Sequence, residues 1–109
     1  MILISKYVVP KHYLGITIWP FIFLKNALLK EDVVLVNHER IHFRQQIELL
    51  ILPFFILYIL EFIVRFYQYG SWQMAYKSIS FEREAYKNEN DPNYLKSRPF
   101  WNFKNFFKI

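Results

Sequence analysis

Residues 37–46 read NHERIHFRQQ, and within them His38, Glu39 and His42 form the pattern H-E-x-x-H. On an α-helix, two residues four apart are separated by about 40° of rotation and about 6 Å of rise, so both imidazoles can reach one tetrahedral cation. Glu39 stands one step round from His38, where its carboxylate can touch a metal-bound water without displacing it and take its proton. The chemistry such a set supports is hydrolysis by a zinc-activated water, with His38 and His42 as metal ligands and Glu39 as catalytic base. Two satisfied core histidines are the rival reading, and a third ligand decides between them.

A glutamate in the required position lies in FEREAY, residues 81–86. With it the sequence resembles the gluzincin group of zinc metallopeptidases, in which H-E-x-x-H on one helix is joined by a glutamate from a later helix within a pattern like E-x-x-A-[DC]. The resemblance implies Glu82 as third metal ligand, Ala85 as the small residue, and Tyr86 where an aspartate usually stands. HERIHFRQQ is also similar to the H-E-x-x-H-x-x-Q-Q stretch of metallopeptidase-like domains, with Gln45 and Gln46 in the glutamine positions. As a whole the chain resembles short bacterial membrane proteins carrying NHE-x-IH and SFEREAY segments, which implies an inner-membrane location. It extends over the two motifs and their order, and over no substrate cleft.

Helix phase gives an independent check. Val34, Leu35, Ile41, Gln45 and Leu49 project to the side of both histidines, so the imidazoles are expected to face inward, where each ring nitrogen needs a partner. Downstream, Glu82 and Glu84 sit about 200° apart on a helix and cannot share a face. Counted from Ala75, the residues Trp72, Ile79, Glu82 and Tyr86 form one packing stripe, so Glu82 is expected at the metal and Glu84 toward solvent or headgroups, paired with Arg83 or Lys87. Gln45, Glu84, Tyr86 and Arg98 are the candidates to support the site from outside it. His12 is a rival third ligand, expected instead in an exposed loop. Arg98 could reach a carboxylate or a phosphate, or stack on Phe100 or Trp101. Glu48 and Glu61 are expected to pair with Arg44 and Arg65, each four positions away.

The elements that must position these groups follow from the apolar pattern. Residues 1–30, rich in β-branched and aromatic side chains and punctuated by Pro10, Gly15 and Pro20, read as a β element with a hairpin through GITIW and FIFL. Glu31 or Asp32 can cap a helix from Val33 to Pro53, and a second helix, PFFILYILEFIVRFYQ, should run to about Gln68. Ser71 or Ser80 can cap a third, ending before Asp91-Pro92. Residues 91–109 form an aromatic, basic tail expected to dock or lie at an interface. The expected fold is mainly α (α+β): an N-terminal β-hairpin and three hydrophobic helices, with the H-E-x-x-H helix packed on the glutamate-bearing one.

Composition narrows the function classes. The 109 residues suit one domain, 1–109, with residues 31–90 as its metal-binding helical core. Hydrophobic residues make up 54% and aromatics 21%, more than a small soluble core needs, so apolar surface is expected to face lipid or a partner. The net charge of +5 is scattered among apolar residues, which suits an anionic membrane surface better than nucleic acid. Residues 49–64 would reach about 24 Å as a helix, a marginal span against about 30 Å of bilayer core. Without cysteine any metal is held by His and carboxylate, and two glycines leave no phosphate loop, so no nucleotide is expected. The start of the chain lacks the pattern of a cleavable signal peptide. The expected function is a zinc-dependent, membrane-associated hydrolase of peptides or proteins. The alternatives are a membrane protein with zinc as a structural staple and a metal-free module at the membrane surface.

Overall fold

A computed structural model of the chain describes residues 2–11 and 13–107. It is mainly helical with a small N-terminal sheet. The hairpin of Gly15–Ile18 (β2) and Phe21–Leu24 (β3) turns at Trp19-Pro20, as the residue pattern predicts, and pairs Gly15 with Leu24 and Ile18 with Phe21. Ile2–Ile4 (β1) adds a third strand parallel to β3, giving the order β1-β3-β2. No local turn announces a parallel partner, so sequence pattern alone missed it.

Asp32 caps the first helix, Val33–Leu49 (α1), by accepting from the Leu35 amide at 3.0 Å. The helix stops short of Pro53. Leu50 turns left-handed (φ 59°), and Pro53 instead occupies the first turn of Leu52–Tyr69 (α2), where a missing N–H costs nothing. Gly70, at φ 67°, ends α2.

The expected third helix is two. Trp72–Ser78 (α3), capped by Ser71, breaks at extended Ile79, and Ser80–Asn88 (α4) follows. Buried Glu61 of α2 explains the break, because its carboxylate accepts from both the amide and the hydroxyl of Ser80 at 2.7 Å. An anion held against a helix N-terminus in this way favours starting a new helix there. Glu61 also pairs with Arg65 at 3.5 Å, as expected. Ile79 itself drops into the core with Phe54 and Phe81, against which Phe103 of the tail packs. The tail is ordered through a short helix, Tyr94–Ser97 (α5), and a 3-10 turn, Asn102–Phe106.

α2 is long and apolar enough to cross a membrane, with mean hydropathy 1.3, and only 17% of that stretch is buried. Ile56, Leu60, Ile63, Val64 and Tyr67 form its exposed face.

Candidate metal centre

The inward face of α1 is unusually polar, with Asn37, His38, Glu39, His42, Gln45 and Gln46 buried beside one apolar residue, Ile41. An unpaired buried polar group is costly, so each of these needs a partner, and most partners lie on β2, on α4 or in the residues just after them. Gln46 receives the Trp19 amide at 2.7 Å and donates to the Thr17 carbonyl at 2.7 Å, tying α1 to the edge strand β2. Asn37 donates from one amide nitrogen toward the carbonyls of Glu89 and Asp91, at 2.9 and 2.8 Å, and so ties α1 to the end of α4. These two clamps place the histidines between strand and helix.

The Nε2 atoms of His38 and His42 lie 3.2 Å apart and face Glu82 Oε1 at 3.2 and 3.0 Å. The edges of a tetrahedral zinc site with bonds of about 2.0–2.1 Å measure about 3.3 Å, so the triangle has the size of three such vertices. All three residues are buried. The far ring nitrogens are engaged too: His38 Nδ1 with Glu89 Oε1 at 2.9 Å, and His42 Nδ1 with Gln45 Oε1 at 2.8 Å. Both partners present oxygen acceptors, so in the neutral rings both Nδ1 atoms donate and both Nε2 atoms offer a lone pair. Two nitrogen lone pairs and a carboxylate oxygen then converge on one point with no hydrogen among them, and only a cation satisfies all three.

A proton is the cation available in the absence of metal, and the electrostatics show it. Burial pulls the His42 pKa down, but the Glu82 carboxylate against Nε2 outweighs burial and pushes it up to about 9. Burial would raise Glu82, yet His42 and His38 together hold it well below the usual carboxylate range. The second Glu82 oxygen accepts from the Tyr58 hydroxyl at 2.6 Å, which fixes the carboxylate with Oε1 toward the histidines.

Glu39 is held differently. The Thr17 hydroxyl of β2 stands 2.7 Å from Glu39 Oε1 and 3.0 Å from the Glu39 carbonyl, and its single proton can go to one of them at a time. Glu39, His42 and Glu82 share the wall of one cavity of about 380 Å³, otherwise lined mainly by aromatic and aliphatic groups including Phe54, Tyr58, Phe62 and Tyr76. That volume falls within the range of small-ligand pockets.

The structure brings His38, His42 and Glu82 together in one buried cluster, with Glu39 beside it. Glu84 requires a correction. It is fully buried and not turned to solvent, because the helix restarts at Ser80 and the tail covers its far side. Arg98 supplies the explanation: it is a buried arginine, neither stacked at the surface nor free for a phosphate, and it grips Glu84 through Nε and Nη2 and Glu48 through Nη1. Glu48 thus pairs with Arg98 and not with Arg44. Tyr86 stands beside His38. Its ring packs edge-on against that imidazole at 4.5 Å, while Glu89 Oε1 accepts the hydrogen bond from His38 Nδ1. Glu89, Tyr58 and Thr17 were not singled out from sequence. Glu89 carried one usable signal, standing seven residues, two helical turns, beyond Glu82 on the same side. His12, the rival ligand, lies outside the described residues.

No family model matches the chain, and no curated protein or solved structure shows significant similarity to it.

Proposed function

We propose that this chain is a membrane-associated, zinc-dependent hydrolase acting on peptide bonds. The observation that carries the reading is the convergence of His38 Nε2, His42 Nε2 and Glu82 Oε1, with both Nδ1 atoms already committed as donors. Zinc fits this donor set, and three protein ligands is the count typical of catalytic rather than structural sites. A zinc ion held there would supply Lewis acidity toward a carbonyl and a water acidified toward neutrality.

The remaining work falls to the chain's own residues. Glu39 takes the proton of the attacking water on Oε2, the oxygen that Thr17 leaves free, and passes it to the leaving amine. Thr17 keeps that carboxylate turned toward the cavity. Tyr58 holds Glu82 in its ligating orientation, and the apolar walls exclude bulk water and suit a hydrophobic stretch of substrate. The exposed apolar face of α2, adjoining the cavity through Phe55, Ile59 and Phe62, supports a position at or in the bilayer.

The decisive experiment is metal analysis of purified wild type beside His38→Ala, together with hydrolysis of a peptide panel by wild type and Glu39→Gln. The reading requires about one zinc per chain that is lost in His38→Ala, and hydrolysis that disappears in Glu39→Gln while zinc stays. Zinc without hydrolysis would favour the structural-staple reading, and a metal-free wild type that takes up none would remove both.

A further inference from the structure

We propose that Arg98 and Glu84 are positioning residues for the ligand His42, acting through the Gln45 amide to hold the imidazole in its metal-binding tautomer; the inference rests on the metal reading above. Gln45 is fully buried and has one end toward the histidine and the other toward α4. Its Oε1 lies 2.8 Å from His42 Nδ1, and its Nε2 donates to the Phe81 carbonyl at 3.1 Å and to Glu84 Oε1 at 2.9 Å.

A primary amide donates from one end and accepts at the other, so whatever fixes one end dictates the chemistry of the second. The Glu84 end is fixed by charge. Arg98 engages both Glu84 oxygens, with Nη2 at 3.1 Å from Oε1, and the Tyr94 hydroxyl donates to Oε2 at 2.6 Å. An ionised carboxylate held in this fork has no proton to give, so only the NH₂ end of Gln45 can face it. The oxygen end is then left for His42, where it can only accept. Nδ1 must carry the ring hydrogen, and Nε2 is left with its lone pair toward Glu82 and the metal position.

A flipped amide would reverse every step. NH₂ would face Nδ1, the ring hydrogen would move to Nε2, and ligation would be blocked. The flip would also set the Gln45 oxygen against two acceptors, the Phe81 carbonyl and Glu84. Arg98 arrives from the tail and is itself anchored by Glu48 of α1, whose other oxygen receives the Trp101 amide at 3.1 Å. Without the guanidinium, the two Glu84 oxygens are no longer held as fixed acceptors toward Gln45, and the flipped amide is no longer excluded. The tail thereby governs a ligand it never touches.

The test titrates the full chain with cobalt(II) in detergent, following affinity and the visible absorption of the tetrahedral site. It also records the ¹⁵N shifts of the His42 ring in the zinc-loaded protein. Three variants are compared with wild type: the pair Glu84→Gln with Arg98→Met, made together with Glu48→Gln so that neither carboxylate that Arg98 holds is left buried without its cation; Gln45→Leu, which removes the relay without altering charge; and Trp101→Phe, which removes an indole hydrogen bond from the tail to the Glu48 carbonyl and leaves the relay intact. The paired variant and Gln45→Leu should each lose about 10- to 100-fold in cobalt affinity, the range for losing an outer partner of a ligating histidine, and Nδ1–H should lose its defined shift. Trp101→Phe should bind as wild type does. A folded paired variant with unchanged affinity and spectrum would overturn the proposal, as would a loss in Trp101→Phe equal to that in the pair, since tail docking alone would then account for it. Wild type that binds no cobalt would instead remove the metal reading itself.

Discussion

On the proposed reading, metal and proton compete for one place in this site, and the competition has a calculable size. Metal needs the His42 Nε2 lone pair, whereas in the metal-free protein Glu82 holds a proton there up to a pKa of about 9. At pH 7 that proton must be displaced across two pH units, a cost of about 2.7 kcal/mol or a hundredfold in apparent affinity. Zinc affinity should therefore rise about tenfold per pH unit from pH 7 to 9, level off above, and be accompanied at pH 7 by release of about one proton per ion. The metal-free fold should respond in the opposite direction. His42 is raised from 6.5, so its stabilising effect is complete below about pH 6.5 and is lost as pH rises through about 9. Glu82 is lowered from 4.5, so its effect is complete above that value and is lost as pH falls. Chelator-treated protein should accordingly melt at a higher temperature at pH 6 than at pH 9.5. Zinc-buffered competition titrations from pH 6 to 9.5, with calorimetry in two buffers of different ionisation enthalpy, measure both slope and proton count. An affinity flat between pH 7 and 9, with no proton released at pH 7, would refute the reasoning, because His42 would then be neutral before metal arrives.

Further outcomes follow from other parts of the structure. Thr17→Val should keep zinc but slow hydrolysis about tenfold or more, since a hydrogen bond to a charged carboxylate contributes about 1.5–3 kcal/mol; steady-state kinetics with metal analysis would show it. Glu82→Ala should lose zinc, and Glu84→Ala, which removes one of the two carboxylates that hold the buried Arg98 guanidinium, should destabilise the fold by about 1.5–3 kcal/mol in denaturant titrations. An unchanged midpoint for Glu84→Ala would mean that the tail does not dock as described. On fractionation the protein should sediment with membranes and resist carbonate, and Ile63→Lys together with Val64→Lys on the exposed face of α2 should release it, while two lysines that change nothing would argue against lipid contact on that face.

The parts of the fold readable in sequence are those governed by local rules. The hairpin, the Asp32 cap, the end of the second helix near Gln68 and the inward phase of His38 and His42 depend on residues within a few positions of one another. Glu82 could be placed because a carboxylate in a packing stripe demands a cation. Glu84 was misplaced for a physical reason: its phase was counted from Ala75 through Ile79, and the helix is interrupted there by a contact 19 residues away, from Glu61 to Ser80. The pairing of Arg98 with Glu48 across 50 positions likewise has no local signature. Long-range pairing of charges is what periodicity cannot supply.

That same pairing explains how so small a chain can hold the site. Among the described residues more polar and charged side chains than apolar ones are buried, and most of them sit on α1, α4 and the tail, where hydrogen bonds satisfy them. Such networks specify geometry well but contribute little net stability, since each bond replaces one made to water. The hydrophobic contribution has to come from elsewhere, and most of α2 has its apolar side chains on the outside. A bilayer around that face would take the exposed Ile, Leu and Val side chains out of water, at about 25 cal/mol per Å². The interior would then be left to hold charge, and the surface to hold the molecule in lipid. On this account the membrane is part of what stabilises the metal site, and protein transferred from lipid to aqueous buffer should lose zinc affinity along with its cooperative melting transition. Zinc affinity that survives intact in detergent-free buffer would show that the polar network alone is sufficient.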